Sequence, residues 1–231
     1  AAYQVCKRFE FFQKISHGRA DVPEELESFT QRILPALIND VFVVKATNRN
    51  HDDDDILRMI AKLYFRVTRS YMPKVCEALA PAVLSASTGL LHELHNGVDQ
   101  DKDIDEDMID EDELGQQWRL HKRLMKLMSN FQLRHRKLIE PHIKNLFALC
   151  QTATKRPRGA LADRVYSLCF DILKASTEYS SHWKLVRNDL SSITESIFQH
   201  LELSRADKER WAEDEDEYLR SNLALESMDT S

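Results

Sequence analysis

The sequence predicts an all-α protein, and two features of its 231 residues carry that prediction. Apolar side chains recur with a period of about 3.6 residues along almost the whole chain, as they do in helices that bury one face. Only 5 glycines and 6 prolines interrupt this pattern, too few for the frequent turns of a β-protein. Hydrophobic residues make up 42% of the chain, which is enough for a continuous core.

The apolar stripes place the helices in order along the chain. One stripe covers residues 2–15, and a second covers residues 22–45, where Asp21 can cap the helix and Pro23 suits its first turn. Further stripes cover residues 56–71, 75–94, 118–131, 138–154, 160–178 and 190–201. The only strand-like run, residues 41–44, ends a good helical stripe and is therefore assigned to it.

Two prolines, Pro35 and Pro81, fall inside predicted helices. A proline in mid-helix costs about 3 kcal/mol unless the helix bends. The sequence leaves two interpretations open, a bent helix or a plain helix break.

The spacing of the helices predicts how they are arranged. Alternate helices start near positions 23, 73, 138 and 182, and their partners start near 54, 114 and 159. Without one acidic insertion, this is a two-helix repeat of about 45 residues, the period of HEAT and armadillo-type solenoids. A compact bundle explains the stripes equally well but does not explain the regular spacing. We therefore predict a single α-solenoid segment of HEAT-like helix pairs over residues 1–231, with an acidic loop inserted at 97–114. Because the chain starts without Met and already in a helical pattern, we also expect a longer parent protein.

The acidic insertion is the strongest candidate for a functional site. It has ten carboxylates and one lysine, so its own charge is about −9 in a chain of net charge −6. Such a loop attracts basic partners and speeds their association. The alternative is a solvated insertion that only keeps the protein soluble. The carboxylates belong to Asp99, Asp101, Asp103, Asp105, Glu106, Asp107, Asp110, Glu111, Asp112 and Glu113.

The start of this run resembles a calcium-binding EF-hand loop, but the resemblance fails at two positions. Ile104 stands where the loop needs glycine, and Asp110 stands where it needs a bidentate glutamate. No other set of His, Cys, Asp or Glu has metal-ligand spacing, and no catalytic motif or phosphate-binding loop occurs. We therefore predict no metal, no cofactor and no enzymatic activity.

Three other groups of residues have simpler predicted roles. Residues 51–55 (His followed by four Asp) suit the amino end of a helix, or alternatively an auxiliary contact with a binding partner. The four cysteines fall in or beside apolar stripes and predict buried free thiols. The three tryptophans predict packing in the core or between repeats, with a binding pocket as the alternative. A basic set forms a solvated helix face or pairs with the acidic loop, and it does not indicate nucleic acid in an acidic chain. That set is Arg119, Lys122, Arg123, Lys126, Arg134, Arg136 and Lys137.

The second half of the chain resembles the importin-β family of nuclear transport receptors. One matching stretch runs over residues 120–137 and ends in the basic turn RHRK, and another covers residues 162–173 and 182–186. The third contains Trp211, Tyr218 and Arg220, and is similar to a Trp-Glu-Glu-Asp-Pro-x-Glu-Tyr-Ile-Arg element of these receptors. The chain departs from that element at residues 215–216, Glu-Asp, where proline is commoner. The resemblance covers about half the chain, residues 118–223.

This resemblance implies a central segment of a receptor that shuttles between nucleus and cytoplasm. It implies binding of protein cargo and of the small GTPase Ran in its GTP form, and contact with Phe-Gly nucleoporins, with import favoured over export. It also implies that the acidic loop contacts Ran or basic cargo. A membrane is not expected as a direct partner, since no apolar run approaches the length of a membrane span. Nucleic acid is not expected either, since the net charge of the chain is negative. The alternative is a HEAT-repeat scaffold of a phosphatase or chromatin complex that does not respond to Ran.

Overall fold

The computed structural model describes residues 22–96, 113–156, 163–201, 205–216 and 219–220. Nearly all of these residues are helical, and this part of the chain contains no β-strand. The helices are α1 Glu24–Ala36, α2 Val43–Thr47, α3 Asp54–Ser70, α4 Lys74–Asn96, α5 Glu113–Arg134, α6 Arg136–Thr154, α7 Asp163–Ser176, α8 Ser180–Val186, α9 Leu190–Leu201 and α10 Arg205–Glu213. The all-α prediction is confirmed, and the predicted stripes from residue 22 onwards coincide with these helices.

The first helical stretch changes its winding without breaking. A π-helical segment, Leu37–Phe42, joins α1 to α2, so that residues 41–44 are helical as predicted. Pro35 has no N–H to donate to the preceding turn, and the wider winding begins two residues after it. Pro81 lies inside α4, which continues past it to Asn96. A helix break at either proline is therefore excluded.

The helices pack in two layers. In one layer α5 lies between α3 and α7, and in the other α4 lies between the α1–α2 stretch and α6, with α9 also against α6. Helices that follow each other along the chain, such as α4 and α5 or α6 and α7, pack across the layers. Each successive helix pair thus adds one helix to each layer.

One continuous core fills the space between the layers. Its largest fully buried side chains include Phe42, Tyr64 and Phe131, and the last two stack with ring centroids 6.1 Å apart. Polar side chains also join neighbours within a layer. Gln132 Nε2 of α5 donates to the Ile172 carbonyl of α7 at 2.9 Å, for example. The apolar stripes and these polar contacts together fix which helices are neighbours.

Helix α4 is long and apolar enough, by length and composition alone, to cross a membrane. In this fold it packs against helices of both layers and buries Cys76, Leu84 and Leu91 completely. That environment is typical of the core helix of a helical protein.

Candidate functional site

A cluster of like charge crosses the layer formed by α3, α5 and α7. We call it the basic face and define it as Arg69 of α3, Lys122, Arg123 and Lys126 of α5, and Arg164 of α7. The pKa of Lys126 is lowered first by burial and then by the positive charges of the other four residues.

The basic face has an aromatic ring at its centre. The guanidinium carbons of Arg123 and Arg69 lie 5.7 and 6.0 Å from the ring centroid of Phe65. Both distances are within the range of cation–π attraction, which contributes about 0.5–1 kcal/mol at a partly exposed site. The ring therefore holds two guanidinium groups, from neighbouring helices, next to each other.

Helical spacing and layer order together explain why this surface forms. Lys122, Arg123 and Lys126 lie within about one turn of α5 and so share a side of that helix. Arg69 follows Phe65 by one turn on α3, and Arg164 lies in the first turn of α7. Because packed helices lie about 8–10 Å apart, three adjacent helices spread these charges over roughly 20 Å.

A second basic group lines a cleft where consecutive helices turn. The cleft encloses about 850 Å³. It is lined by Met72, Glu77, Arg134, His135, Arg136, Lys137, Leu138, Glu140 and Ser181. The Arg136 guanidinium lies 3.5 Å above the Tyr179 ring, and His135 Nε2 donates to the Thr68 carbonyl at 2.7 Å. These contacts hold the turn between α5 and α6 in place, and the two glutamates leave the cleft without one dominant charge.

A buried histidine pair lies where α4 ends and α5 begins. The rings of His95 and His121 are 4.4 Å apart between centroids, and the side chains are 3% and 1% exposed. His95 Nδ1 donates to the Leu91 carbonyl at 2.9 Å, whereas His95 Nε2 and both ring nitrogens of His121 have no hydrogen-bond partner among the described residues. Burial lowers the pKa of His95 to about 4 and that of His121 well below its usual range, with a smaller contribution from the charge of Arg156. Both rings are therefore neutral at pH 7.

The aspartates before and within the first turn of α3 form ion pairs with cations of the same chain. Asp53 pairs with Lys45, Asp54 with Arg49 and Asp55 with Arg58. The predicted position of these aspartates at the start of a helix is confirmed. The predicted capping is wrong, because no side chain caps α3. The carboxylates bond to cations instead. At the start of α1 the structure places Pro23 at the N-cap, just before the first turn rather than in it. Asp21 lies outside the described residues, so its predicted capping role stays a prediction.

The predicted acidic site falls almost entirely outside the described residues. Only Glu113 belongs to them, as the first residue of α5, and its side chain is not described. Of the motif residues, Trp211 lies in α10 with 38% of its surface exposed and Arg220 is exposed, whereas Tyr218 lies outside the described residues. The functional part of the prediction therefore stays a prediction.

The remaining structural predictions can be compared with the described residues. Cys76, Cys150 and Cys169 are buried free thiols as predicted, and Cys6 lies outside the described residues. Trp118 packs against the core and stacks on His121, with ring centroids 5.8 Å apart. Trp183 is half-buried, and Trp211 is 38% exposed. No group of three or more His, Cys, Asp or Glu with metal-binding geometry occurs within the described ranges.

The sequence identified the α5 part of the basic face but not the whole surface. Arg69 and Arg164 lie far from α5 in the chain, and nothing in their local patterns marks them. Knowing that α5 lies between α3 and α7 would have added both residues. The basic residues predicted from the sequence fall in two separate places, because Arg134, Arg136 and Lys137 line the cleft and do not belong to the basic face.

Comparison of the chain with protein-family models, with curated proteins and with solved structures finds no match.

Proposed function

We propose that this chain is a HEAT-repeat segment of a nuclear transport receptor of the importin-β type. In this proposal it binds protein cargo and Ran-GTP, contacts Phe-Gly nucleoporins, and shuttles between cytoplasm and nucleus, with import favoured. It acts by surface complementarity, without catalysis, cofactor or metal. It touches neither nucleic acid nor membrane directly.

The observation that carries the proposal is the order of the two layers. Within the described residues, three successive helix pairs each contribute one helix to each layer, with α3, α5 and α7 on one side and the α1–α2 stretch, α4 and α6 on the other. A stacked array of helix pairs has this arrangement, because one pair cannot bury its apolar face without a neighbour. This supports an α-solenoid, and the family resemblance of residues 118–223 supports the importin-β type among solenoids.

The position of the acidic run supports a role in partner binding. Residues 97–112 connect α4 to α5, so the run is attached to the array at two helix ends. Ten carboxylates there attract Lys- and Arg-rich sequences over a distance that shortens with added salt. If Ran-GTP and a basic cargo both bind this run, each lowers the affinity for the other, and Ran releases cargo where its GTP form is abundant.

The decisive experiment measures binding of the full-length protein to Ran loaded with GTP and, in parallel, with GDP. We expect a strong preference for the GTP form. Equal binding, or none, contradicts the proposal and favours the alternative function, a HEAT scaffold of a phosphatase or chromatin complex. The same layered helix pairs would serve that scaffold, so Ran nucleotide dependence is what separates the two.

A charge-matched pair of variants tests the acidic run. The first replaces Asp105, Glu106, Asp107, Asp110 and Glu111 by their amides. The control makes the same change at five exposed carboxylates elsewhere: Glu24, Glu25, Asp171, Glu178 and Glu195. We expect the first variant to weaken binding of Ran-GTP or of a basic cargo peptide at low salt, and the control to leave it unchanged. Equal affinity in both variants would remove the acidic run from the proposal.

A further inference from the structure

The cleft between the α5–α6 turn and the start of α8 contains three cations that no carboxylate pairs with. All nine residues that line it belong to the described ranges. Among these ranges, Arg134, Arg136 and Lys137 form no ion pair. Glu77 and Glu140 also line the cleft, but neither lies within ion-pair distance of the three cations. The cations can therefore bind an anion that reaches the cleft.

Two contacts place the hydroxyl of Ser181 at this cleft. The Arg136 guanidinium of α6 lies 3.5 Å above the Tyr179 ring, and His182 Nε2 lies 3.1 Å from Glu140 Oε2, one turn further along α6. The start of α6 therefore runs beside the start of α8, and Ser181 lies between the two contacts in the chain. Its side chain lines the cleft and is exposed, so an enzyme can reach the hydroxyl from solvent.

We propose that Ser181 is a phosphorylation site and that its phosphate binds the cations of the cleft. A protein kinase transfers the γ-phosphoryl group of ATP to Ser181 Oγ, so that a new P–O bond replaces the bond to ADP, and the hydroxyl proton is released as ADP leaves. At pH 7 the product has a charge of about −1.5 to −2 and three strong acceptor oxygens. Arg134 and Arg136 each offer a planar fork to these oxygens, and Lys137 adds a mobile charge. The phosphate thereby joins α6 to α8. The proposal goes beyond transport-receptor function and does not depend on Ran binding.

The charges of the cleft favour an attached phosphate over an anion taken from solution. Three cations and two glutamates give the lining a net charge of about +1 (three minus two), which concentrates free anions only weakly. A phosphate on Ser181 is already at the cleft, so its effective concentration there is high without any long-range attraction. It needs only local contacts with the three cations.

Ser181 differs from the hydroxyl residues just before it in the chain. The side chains of Thr177, Ser180 and Ser181 are all exposed, but of these three only Ser181 lines the cleft. Thr177 Oγ1 donates instead to the Lys174 carbonyl at 2.8 Å. Ser180 and Ser181 both lie in the first turn of α8, so their position in that helix is nearly the same. Ser180 is therefore a matched control for the contact with the cleft.

The first experiment measures whether Ser181 is phosphorylated. The 231-residue chain is incubated with ATP in an extract of the cells that produce the protein, and phosphopeptides are mapped by mass spectrometry. We expect phosphate at Ser181 in the original chain and in the Ser180→Ala variant, and none at residues 180–181 in the Ser181→Ala variant. An unmodified Ser181, or phosphate at Ser180 instead, would overturn the proposal.

The second experiment measures what the phosphate contacts. Phosphoserine is incorporated during synthesis either at position 181 or at position 180, and the second pKa of the phosphate is followed by phosphorus NMR. We expect a pKa of about 6 at position 180 and a pKa about 1 lower at position 181, because nearby cations favour the dianion. We also expect the chain with phosphoserine at position 181 to melt about 2–4 °C higher, since its phosphate forms new charge-assisted hydrogen bonds.

A pair of charge-matched variants identifies the cations. Arg134→Gln with Lys137→Gln should abolish both differences between the two phosphorylated chains. Arg187→Gln with Lys144→Gln removes two exposed cations that do not line the cleft, and it should leave both differences in place. Equal pKa and melting temperature at the two positions would overturn the proposal, as would differences that persist in the first variant. A lower melting temperature with phosphoserine at position 181 would also overturn it, because the phosphate would then be repelled by the two glutamates more than it is held by the cations.

Discussion

Arg49 and Asp54 form a two-pronged ion pair at the start of α3. Arg49 Nε donates to Asp54 Oδ1 at 2.7 Å, and Nη2 donates to Oδ2 at 2.8 Å. The Arg49 and Asp54 side chains are only 7% and 1% exposed. Arg49 Nη1 also donates to Glu93 of α4 at 2.9 Å, so one guanidinium joins the loop before α3, its first turn and α4. These hydrogen bonds, that of Asp54 above all, raise the pKa of Arg49 further, and the guanidinium stays charged.

We predict that Asp54→Asn destabilises the protein by about 3–5 kcal/mol. The amide keeps the shape of the carboxylate but leaves the charge of Arg49 buried against a neutral group. Glu93 offsets little of the loss, because its side chain is 51% exposed and solvent screens its charge. Urea unfolding followed by circular dichroism measures the change in free energy.

Asp55→Asn is the matched control for this prediction. Asp55 is the next residue, and it pairs with Arg58 at 2.8 Å, but its side chain is 46% exposed. A pair of that exposure contributes less than about 1 kcal/mol. If the two variants lose equal stability, burial does not set the strength of the Arg49–Asp54 pair.

The buried pair His95 and His121 predicts a loss of stability in weak acid. The pKa of His95 is about 4 in the fold against 6.5 in the unfolded chain, and the pKa of His121 is also lowered. Between these pH values the unfolded state binds more protons than the folded state, so the unfolding free energy falls as the pH drops below about 6.5. Each histidine contributes up to about 1.4 kcal/mol per pH unit in this window. The charge of Arg156 lowers the pKa of both rings further, and His95 lowers that of His121.

His121→Phe isolates this effect from the titration of carboxylates elsewhere. Between pH 6.5 and 5, we expect the unfolding free energy of the variant to fall by about 1 kcal/mol less per pH unit than that of the original chain. At pH 7 it should be at least as stable, because two ring nitrogens without partners are replaced by an apolar edge of similar shape. Urea midpoints at a series of pH values measure both. Parallel stability curves for the two proteins would show that His121 is already protonated or solvent-accessible.

The helices could be predicted from the sequence because their signal is local. The stripe that ends at residue 131 and the one that begins at residue 138 already locate α5, α6 and the turn between them. The same local signal excludes strands at residues 41–44. The π-helical winding of Leu37–Phe42 could not be predicted, because it depends on how the bend after Pro35 is accommodated against α3 and α4.

Surface properties were harder to predict because they combine distant segments. The basic stretch of α5 was visible, but Arg69 and Arg164 join it only through the order of the layers. The pair Arg49–Asp54 was missed for a similar reason. A row of aspartates before a helix indicates capping, and nothing in the pattern shows that Arg49, five residues earlier, folds back onto one of them. The buried histidines carry no local signal, because His95 and His121 are separated by the acidic run.

The apolar side of α9 tests whether helix pairs stack at this end of the fold. Ile193 faces inward and is 6% exposed, whereas Phe198 is 66% and Leu201 is 70% exposed. In a stacked array, Phe198 and Leu201 would pack against a further helix pair. In the 231-residue chain, their exposure favours self-association. We predict that Phe198→Ser with Leu201→Ser lowers self-association of the chain, measured by sedimentation velocity over a range of concentrations.

The same double variant should change the unfolding free energy by less than about 1 kcal/mol, since neither side chain leaves a cavity when shortened. Ile193→Ser is the control, and it should cost about 2–5 kcal/mol because it removes a buried side chain and places a hydroxyl in the core. Together these outcomes would show that α9 packs on one side only. A large loss of stability in the double variant would instead mean that Phe198 and Leu201 already pack within the chain, and it would count against the proposed stacking of a further helix pair on α9.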